Sequence, residues 1–244
     1  TATNRGPAMT VTPATPKANR LLAALPEAVY RRLRPDLEAE TLRAGETLFR
    51  PAGRLQYAYF PTTSIVTLSY AVAEDGAMAK AWPVGREGMV GISLFLGEPK
   101  RGNRADVQIG GIAFRLPASA LLAEFKRAGP LQHLLLRYVF ALVTQASQLG
   151  LCNHYHPIEQ RFCRFLSLLF DRVPGDEVVI TQARIAELLG VRRVSITHAA
   201  LQLHAAGVIE YSRGHVQLVG RTKLEDRACP CAAIIRRAFA SVTK

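Results

Sequence analysis

The stretch from Ile180 to Ile209 reads Ile180-Thr181-Gln182-Ala183-Arg184-Ile185-Ala186-Glu187-Leu188-Leu189-Gly190-Val191-Arg192-Arg193-Val194-Ser195-Ile196-Thr197-His198-Ala199-Ala200-Leu201-Gln202-Leu203-His204-Ala205-Ala206-Gly207-Val208-Ile209. Thr181 is suited to cap a helix, because its hydroxyl accepts from an N–H that has no partner in the first turn. Ile185, Leu188 and Leu189 then recur on one face, and Ala186 is small enough for a second helix to cross closely. Gly190 admits the left-handed backbone that ends such a helix in a tight turn. A second helix is predicted over 192–204, with Val194, Ile196, Leu201 and Leu203 among its apolar positions. Two short helices meeting across a glycine-containing turn make a helix-turn-helix pattern.

The first turns of that second helix carry Arg192, Arg193, Ser195 and His198. Adjacent arginines at a helix N-terminus oppose the helix dipole, so helix stability does not explain them. A solvated basic helix end is the plain reading. The sharper one is a recognition helix, whose N-terminal end meets base edges in the major groove of double-stranded DNA. Arginine bonds guanine O6 and N7 together, worth about 1–3 kcal/mol of discrimination. Thr181, Gln182, Arg192 and Ser195 are expected at phosphates. After Gly207, the run Glu210 to Val219 reads as two short strands around Arg213-Gly214, a wing. Arg213 and His215 at its tip are expected to touch phosphate, which positions the protein without reading sequence.

Working back toward the N-terminus, Ile158 to Arg172 is predicted helical with Phe162, Phe165, Leu166 and Leu169 inward. Before it lies a longer helix, 131–152, with Pro130 placed for its first turn. Leu131, Leu135, Tyr138, Leu142, Gln145, Leu149 and Cys152 follow one another in steps of four and three, a heptad seam. We read this seam as the interface of a homodimer, with Gln145 helping to fix register. Leu134, Leu136, Val139 and Phe140 make a second apolar face, so a core helix packed on its own domain fits the pattern too.

From Glu40 to Pro117 short β-type runs alternate with turns, among them Ala44-Gly45-Glu46, Glu74-Asp75-Gly76 and Gly110-Gly111. This predicts an antiparallel roll, interrupted by the glycine-rich stretch Gly85 to Gly97. Residues 19–37 are predicted helical, capped by Asn19 and ended by Pro35, and 118–128 form another short helix. The fold class is α+β. We divide it into a disordered leader (1–18), a β-roll sensor domain (19–130), a dimerisation helix (131–152) and a winged helix-turn-helix domain (153–244).

Composition agrees. The chain has 244 residues, 49% hydrophobic and 20% charged, enough for two cores and too apolar for disorder. Its formal charge is +12, from 31 Lys+Arg against 19 Asp+Glu, which favours a polyanionic partner. No run approaches the roughly 18 consecutive apolar residues of a membrane span. The sequence predicts a cytoplasmic protein with no membrane partner, its four cysteines reduced.

The order of roll, long helix and winged helix-turn-helix, with Glu159-Gln160-Arg161-Phe162 before the motif and Tyr211-Ser212-Arg213-Gly214 after it, resembles the CRP/FNR family of bacterial transcription regulators. The resemblance spans Asn19 to Cys231 and is strongest over 153–220. It implies that Arg193, Val194 and His198 read bases. A glutamate is common in the family at the place of Val194. Valine cannot accept from cytosine N4 but can contact a thymine methyl, so a different operator is implied. RNA polymerase is a further candidate partner.

The roll of this family often binds a cyclic nucleotide through Gly-Glu followed by Arg-Ser/Thr-Ala. The matching run here is Gly91-Ile92-Ser93 and then Asn103-Arg104-Ala105. Ile92 stands for the ribose-binding glutamate and the arginine is out of register. The resemblance therefore implies a degenerate cassette (Gly91, Ile92, Asn103, Arg104) that has lost or altered cyclic nucleotide binding. Gly97-Glu98 lies too close to Arg104 to replace it, and Arg101 reads as solvated surface. A regulator responding to a cyclic nucleotide, another small molecule or a redox signal, with its ligand in the roll, stays as the alternative, its effector not identified.

No cofactor is expected. The chain has no cysteine before Cys152, where iron–sulfur members of the family carry theirs. Its histidines all lie at His133 or later, which removes the ligands of a cupin-type enzyme from the roll, and no enzymatic activity is expected. Cys229-Pro230-Cys231 is a C-x-C pair with no second pair nearby in sequence, and no metal site is expected from it.

Overall fold

The computed structural model describes residues 15–51, 53, 55–71, 78–97 and 103–244. Most of the expected leader lies outside the described residues, as do the Glu74-Asp75-Gly76 turn, Glu98 and Arg101. Asn19 caps as predicted, its Oδ1 accepting from the N–H groups of Leu21 (3.0 Å) and Leu22 (3.3 Å). Its amide also donates to the carbonyls of Pro61 and Gly88, which ties the N-terminal segment to the roll. The predicted helix over 19–37 is two helices, α1 (Arg20–Ala23) and α2 (Glu27–Leu33). Pro26 breaks it, because proline lacks the N–H that a helix interior needs.

The roll follows with β1 (Glu38–Leu42), β2 (Thr47–Phe49), β3 (Tyr57–Pro61), β4 (Ile65–Ala71), β5 (Met78–Val84), the short α3 (Ser93–Leu96), β6 (Asn103–Ile109) and β7 (Gly111–Pro117). Two antiparallel sheets, ordered β1-β7-β3 and β2-β6-β4-β5, face each other. Between them Leu42, Phe49, Leu55, Tyr59, Val66, Val107 and Ala113 form a closed apolar layer. The period-2 alternation of β6 sends Ala105 and Val107 into this layer and Arg104 and Asp106 out of the roll.

Helix α4 (Ala118–Phe125) leads to α5 (Pro130–Tyr155), which has Pro130 in its first turn and runs beyond the expected end at 152. This helix is long and apolar enough, by length and composition alone, to cross a membrane, although no stretch in it is continuously apolar. The heptad seam faces into the protomer itself. Leu131, Leu135, Tyr138, Leu142, Gln145 and Cys152 are buried and Leu149 half-buried. Tyr138 donates to the Met89 carbonyl of the roll at 3.0 Å. Gln145, read as a register residue, instead accepts from Arg172 at 2.6 Å.

The expected dimer seam is thus corrected: that face is occupied by the roll and by a C-terminal helix, α10, introduced below. The apolar face left open carries Leu136, Phe140, Val143, Leu151 and Tyr155, with Phe140 70% exposed. Heptad spacing marks an apolar face without saying what covers it, and this helix has two such faces.

The rest of the chain is α6 (Ile158–Arg172), β8 (Glu177–Val179), α7 (Gln182–Leu189), α8 (Arg193–Ala205), β9 (Ile209–Ser212), β10 (His215–Leu218), α9 (Arg221–Arg227) and α10 (Cys231–Val242). Its core joins Phe162, Leu166 and Leu169 of α6 to Ile185, Ile196, Leu203 and Val216. Helix α10 runs back along α5, with Phe239 edge-on to Tyr138 at 6.1 Å between ring centres.

A buried ion pair joins this part to the roll. Arg172 Nε lies 2.7 Å from Glu87 Oε1, and both residues are under 10% exposed. Gly85 sits beside it, where a Cβ would come within 2.7 Å of Arg172 Cβ. Between β5, α5, α6 and α7 lies a cavity of about 430 Å³, lined by Trp82, Leu149 and Phe165 among others.

Candidate nucleic-acid interface

The site starts at the caps of α7. Thr181 Oγ1 accepts from the Arg184 N–H at 3.3 Å, as predicted. At the other end Gly190 is left-handed (φ 63°), and the Val191 N–H reaches the Ala186 carbonyl at 3.0 Å. That six-to-one bond with a left-handed residue is a Schellman end, which stops the helix within one residue. Arg161 reinforces the stop by donating to the Leu189 carbonyl at 2.6 Å. Its role was missed in the sequence, although it sits in the Glu159-Gln160-Arg161-Phe162 run.

Helix α8 then crosses α7. Ile196, Ala199, Ala200 and Leu203 are buried against the core. Alanine at two of these positions lets the helices approach closely. Val194 and Leu201, counted among the apolar positions of the sequence, point the other way and are 69% and 63% exposed. With His198 they form an i, i+4, i+7 stripe on the outer face, and Arg192 and Arg193 are exposed at its N-terminal end. Ser195 is half-buried.

Gln182 is half-buried and its carbonyl accepts from Thr197 Oγ1 at 2.6 Å, so one side-chain bond pins the two helices together. The amide NH₂ of Gln182 is left as the group that could face a phosphate.

The wing forms as expected. β10 pairs with β9 and with β8, giving the order β8-β10-β9. Arg213 (φ 47°) and Gly214 (φ 87°) both lie in the left-handed region, the signature of a two-residue hairpin turn of primed type. Arg213 is exposed at the tip, and His215 pairs with Glu177 at 2.7 Å. Tyr211 donates to the Ile180 carbonyl at 3.0 Å and fixes the wing to the start of the motif. Arg192, Arg193, Val194 and His198 are therefore all exposed on one helix, and Arg213 and His215 on one hairpin.

The cassette in the roll is different. Gly91 (φ 111°) is explained by close approach, since a Cβ there would come within 2.8 Å of Leu55. Ile92 packs with the apolar cluster beneath α5. Asn103 begins β6 opposite Tyr70. Arg104 bonds Asp106 Oδ1 at 2.7 Å and Thr47 Oγ1 at 3.0 Å on the outside of the roll. Among the described residues, none of these side chains forms a cradle for a ribose or a cyclic phosphate.

A second cluster lies where α5 ends. Cys152 and His156 stand one turn apart on that helix end, and Cys229 and Cys231 flank Pro230 at the start of α10. The sequence reading found no partner for the C-x-C pair because the other two residues lie 73 or more positions away; the fold brings all four together. The Cys229 thiol beside it, and Arg164 nearby, hold Cys152 below the ordinary thiol value, while the same contact and burial hold Cys229 above it; burial pushes Cys163, outside the cluster, up to about 12.

Two stabilised helices and a wing on a common core define a winged helix-turn-helix DNA-binding module, here attached to a β-roll. Residues 160–227 match the model of the Crp-like helix-turn-helix domain. Among solved structures, a Silicibacter pomeroyi protein provisionally described as a cAMP-binding regulatory protein is 22% identical, with a TM-score of 0.63 over 87% of this chain and 95% of its own. A Eubacterium rectale protein provisionally assigned to the crp/fnr family of transcriptional regulators is 15% identical, with a TM-score of 0.62 over 86% and 98%. FixK2 from Bradyrhizobium japonicum is 18% identical, with a TM-score of 0.60 over 79% and 98%. At these identities the likeness is one of fold. No curated protein matches the sequence. Residues 160–227 thus carry a Crp-like helix-turn-helix domain, and the overall fold is shared with these solved structures.

Proposed function

We propose that this chain is a cytoplasmic transcription regulator that binds a pseudo-palindromic operator as a homodimer, with α8 of each subunit in the major groove. The observation that carries the reading is the outward face of α8. Its Arg193, Val194, His198 and Leu201 are exposed, while the opposite face is sealed into the core. A helix that displays arginines and apolar side chains together suits a groove with both acceptor edges and thymine methyls.

Arg193, Val194 and His198 read bases. Thr181, Gln182, Arg192, Ser195, Arg213 and His215 meet phosphates and set the register. The second copy packs along the open face of α5, through Leu136, Phe140, Val143 and Leu151. An exposed apolar stripe of this length on a helix is where a partner helix buries surface. Half-sites then lie about one helical turn of DNA apart.

The packing of Ile92 and the outward pairing of Arg104 favour a roll that has left cyclic nucleotides behind. Calorimetry with cAMP and cGMP should show no binding, and micromolar affinity would overturn that part. The main reading is tested by selecting bound duplexes from a random pool and measuring fluorescence anisotropy on the selected site. Arg193→Ala should weaken binding there by about 1–3 kcal/mol and leave random DNA nearly unchanged. An equal loss on both would refute base reading by this residue.

A further inference from the structure

The cluster at the end of α5 does not belong to the DNA-binding face, and nothing in the reading above uses it. Its four ligand atoms, three sulfurs and one imidazole nitrogen, all lie within 4.8 Å of one another. Cys152 Sγ is 3.4 Å from Cys229 Sγ, and Cys231 Sγ is 3.7 Å from His156 Nδ1. In a tetrahedral zinc site with Zn–S near 2.3 Å, neighbouring sulfurs stand about 3.8 Å apart. The four groups are therefore already spaced to within about 1 Å of closing on a single ion.

We propose that Cys152, His156, Cys229 and Cys231 form a closed four-ligand site for a Zn²⁺ ion at the joint between the long helix and the DNA-binding domain.

The backbone prepares this arrangement. The His156 N–H bonds the Cys152 carbonyl at 3.1 Å, which keeps the i, i+4 pair on one side of the helix end. Pro230 fixes the backbone between the two other cysteines at φ −55°. Cys231 opens the twelve-residue helix α10, so its Cβ position is set by the first turn of that helix. Cys152, Cys229 and Cys231 are all under 5% exposed, so water does not compete for a fourth position. His156 is half-buried and leaves a route in.

Three thiolates and a neutral imidazole around Zn²⁺ carry a net charge of −1. Arg164, itself buried and with its Nε lacking a hydrogen-bond partner, is close enough to act on Cys152. A buried cation beside a buried anionic cluster offsets the desolvation of both. Loading releases the thiol protons to solvent and oxidises nothing. Thiolate-rich tetrahedral sites with no open position select zinc over harder cations, and their zinc holds structure rather than reacting.

The experiment uses the full chain, reduced, stripped with a chelator and then titrated with Zn²⁺ or Co²⁺. Mass spectrometry of the metal should give about one ion per chain, and Co²⁺ should produce the sulfur-to-cobalt charge-transfer and intense d–d bands of tetrahedral thiolate. Cys231→Ser and His156→Ala should each weaken Zn²⁺ binding by about tenfold or more. His156 is half-buried at a helix end, so its loss leaves the fold in place if that of Cys231 does not. Cys163→Ser, a buried thiol outside the cluster, should keep full stoichiometry.

Three results would overturn the site. One is a folded, reduced chain that takes up neither ion. Another is Cys163→Ser losing metal as fully as Cys231→Ser. The third is a freshly isolated protein that holds a Cys152–Cys229 disulfide and no metal. None of these readouts depends on DNA binding, so the site stands or falls apart from the regulator reading.

Discussion

Replacing Glu87 by alanine would strand Arg172 inside the protein. Arg172 is 5% exposed, and its Nε is 2.7 Å from Glu87 Oε1. The second carboxylate oxygen accepts from the Gly85 N–H at 3.0 Å, so the substitution also orphans a buried backbone donor. Removing one partner of a buried pair costs about 3–5 kcal/mol, because the remaining charge keeps its desolvation penalty. The bond from Arg172 to Gln145 survives and pulls the cost toward the lower end. The double variant Glu87→Leu with Arg172→Met removes both charges and should cost less than Glu87→Ala alone.

Urea unfolding can be followed by the fluorescence of Trp82, the only tryptophan, which lies on β5 of the roll. The midpoint should fall without a change in the slope against urea if the compactness of both states is kept. A loss under about 1 kcal/mol, or a double variant as unstable as the sum of its parts, would refute the account of this pair.

Phe140→Glu places a charge in the middle of the open face of α5 and should turn the proposed dimer into a monomer by light scattering, with weaker binding to the selected duplex; a variant that stays dimeric would move the interface elsewhere. Arg213→Ala at the wing tip should reduce affinity for all duplexes alike and lower the slope of log K against log salt by about 1. Arg32, bonded to Glu124, holds that carboxyl below its ordinary value. A lowered acid stabilises the fold at neutral pH and loses that contribution as pH falls through its folded value. The stability gap between the native chain and Glu124→Gln should therefore shrink below about pH 4.5 in urea titrations, and a gap that widens on acidification would contradict the sign.

What could be read in the sequence was what is written locally. Thr181 at a cap and Gly190 and Gly214 at left-handed turns each fill a place that suits only a few residue types, so the motif and its wing were legible residue by residue. The face of α5 was not. Leu131 and Leu135 are as apolar as Leu136 and Phe140, and only the packing of the roll and α10 decides which pair is covered. Helix α10 itself was not assigned in the sequence, and with it went the reason for the correction. Val194 and Leu201 show the same limit from the other side, since apolar character alone did not reveal that they face outward. The cysteine cluster is least legible of all, because its two halves meet only after the C-terminal helix has folded back.

Lys80 of β5 is held at 8% side-chain exposure, 2.9 Å from Glu187 on α7, the helix that supports α8 from behind. A strand of the roll thus has a hand on the frame that carries the reading head. Any event that tilts β5 must either drag α7 with it or break this grip, and on the proposed function DNA held by α8 would register either outcome as a change in fit.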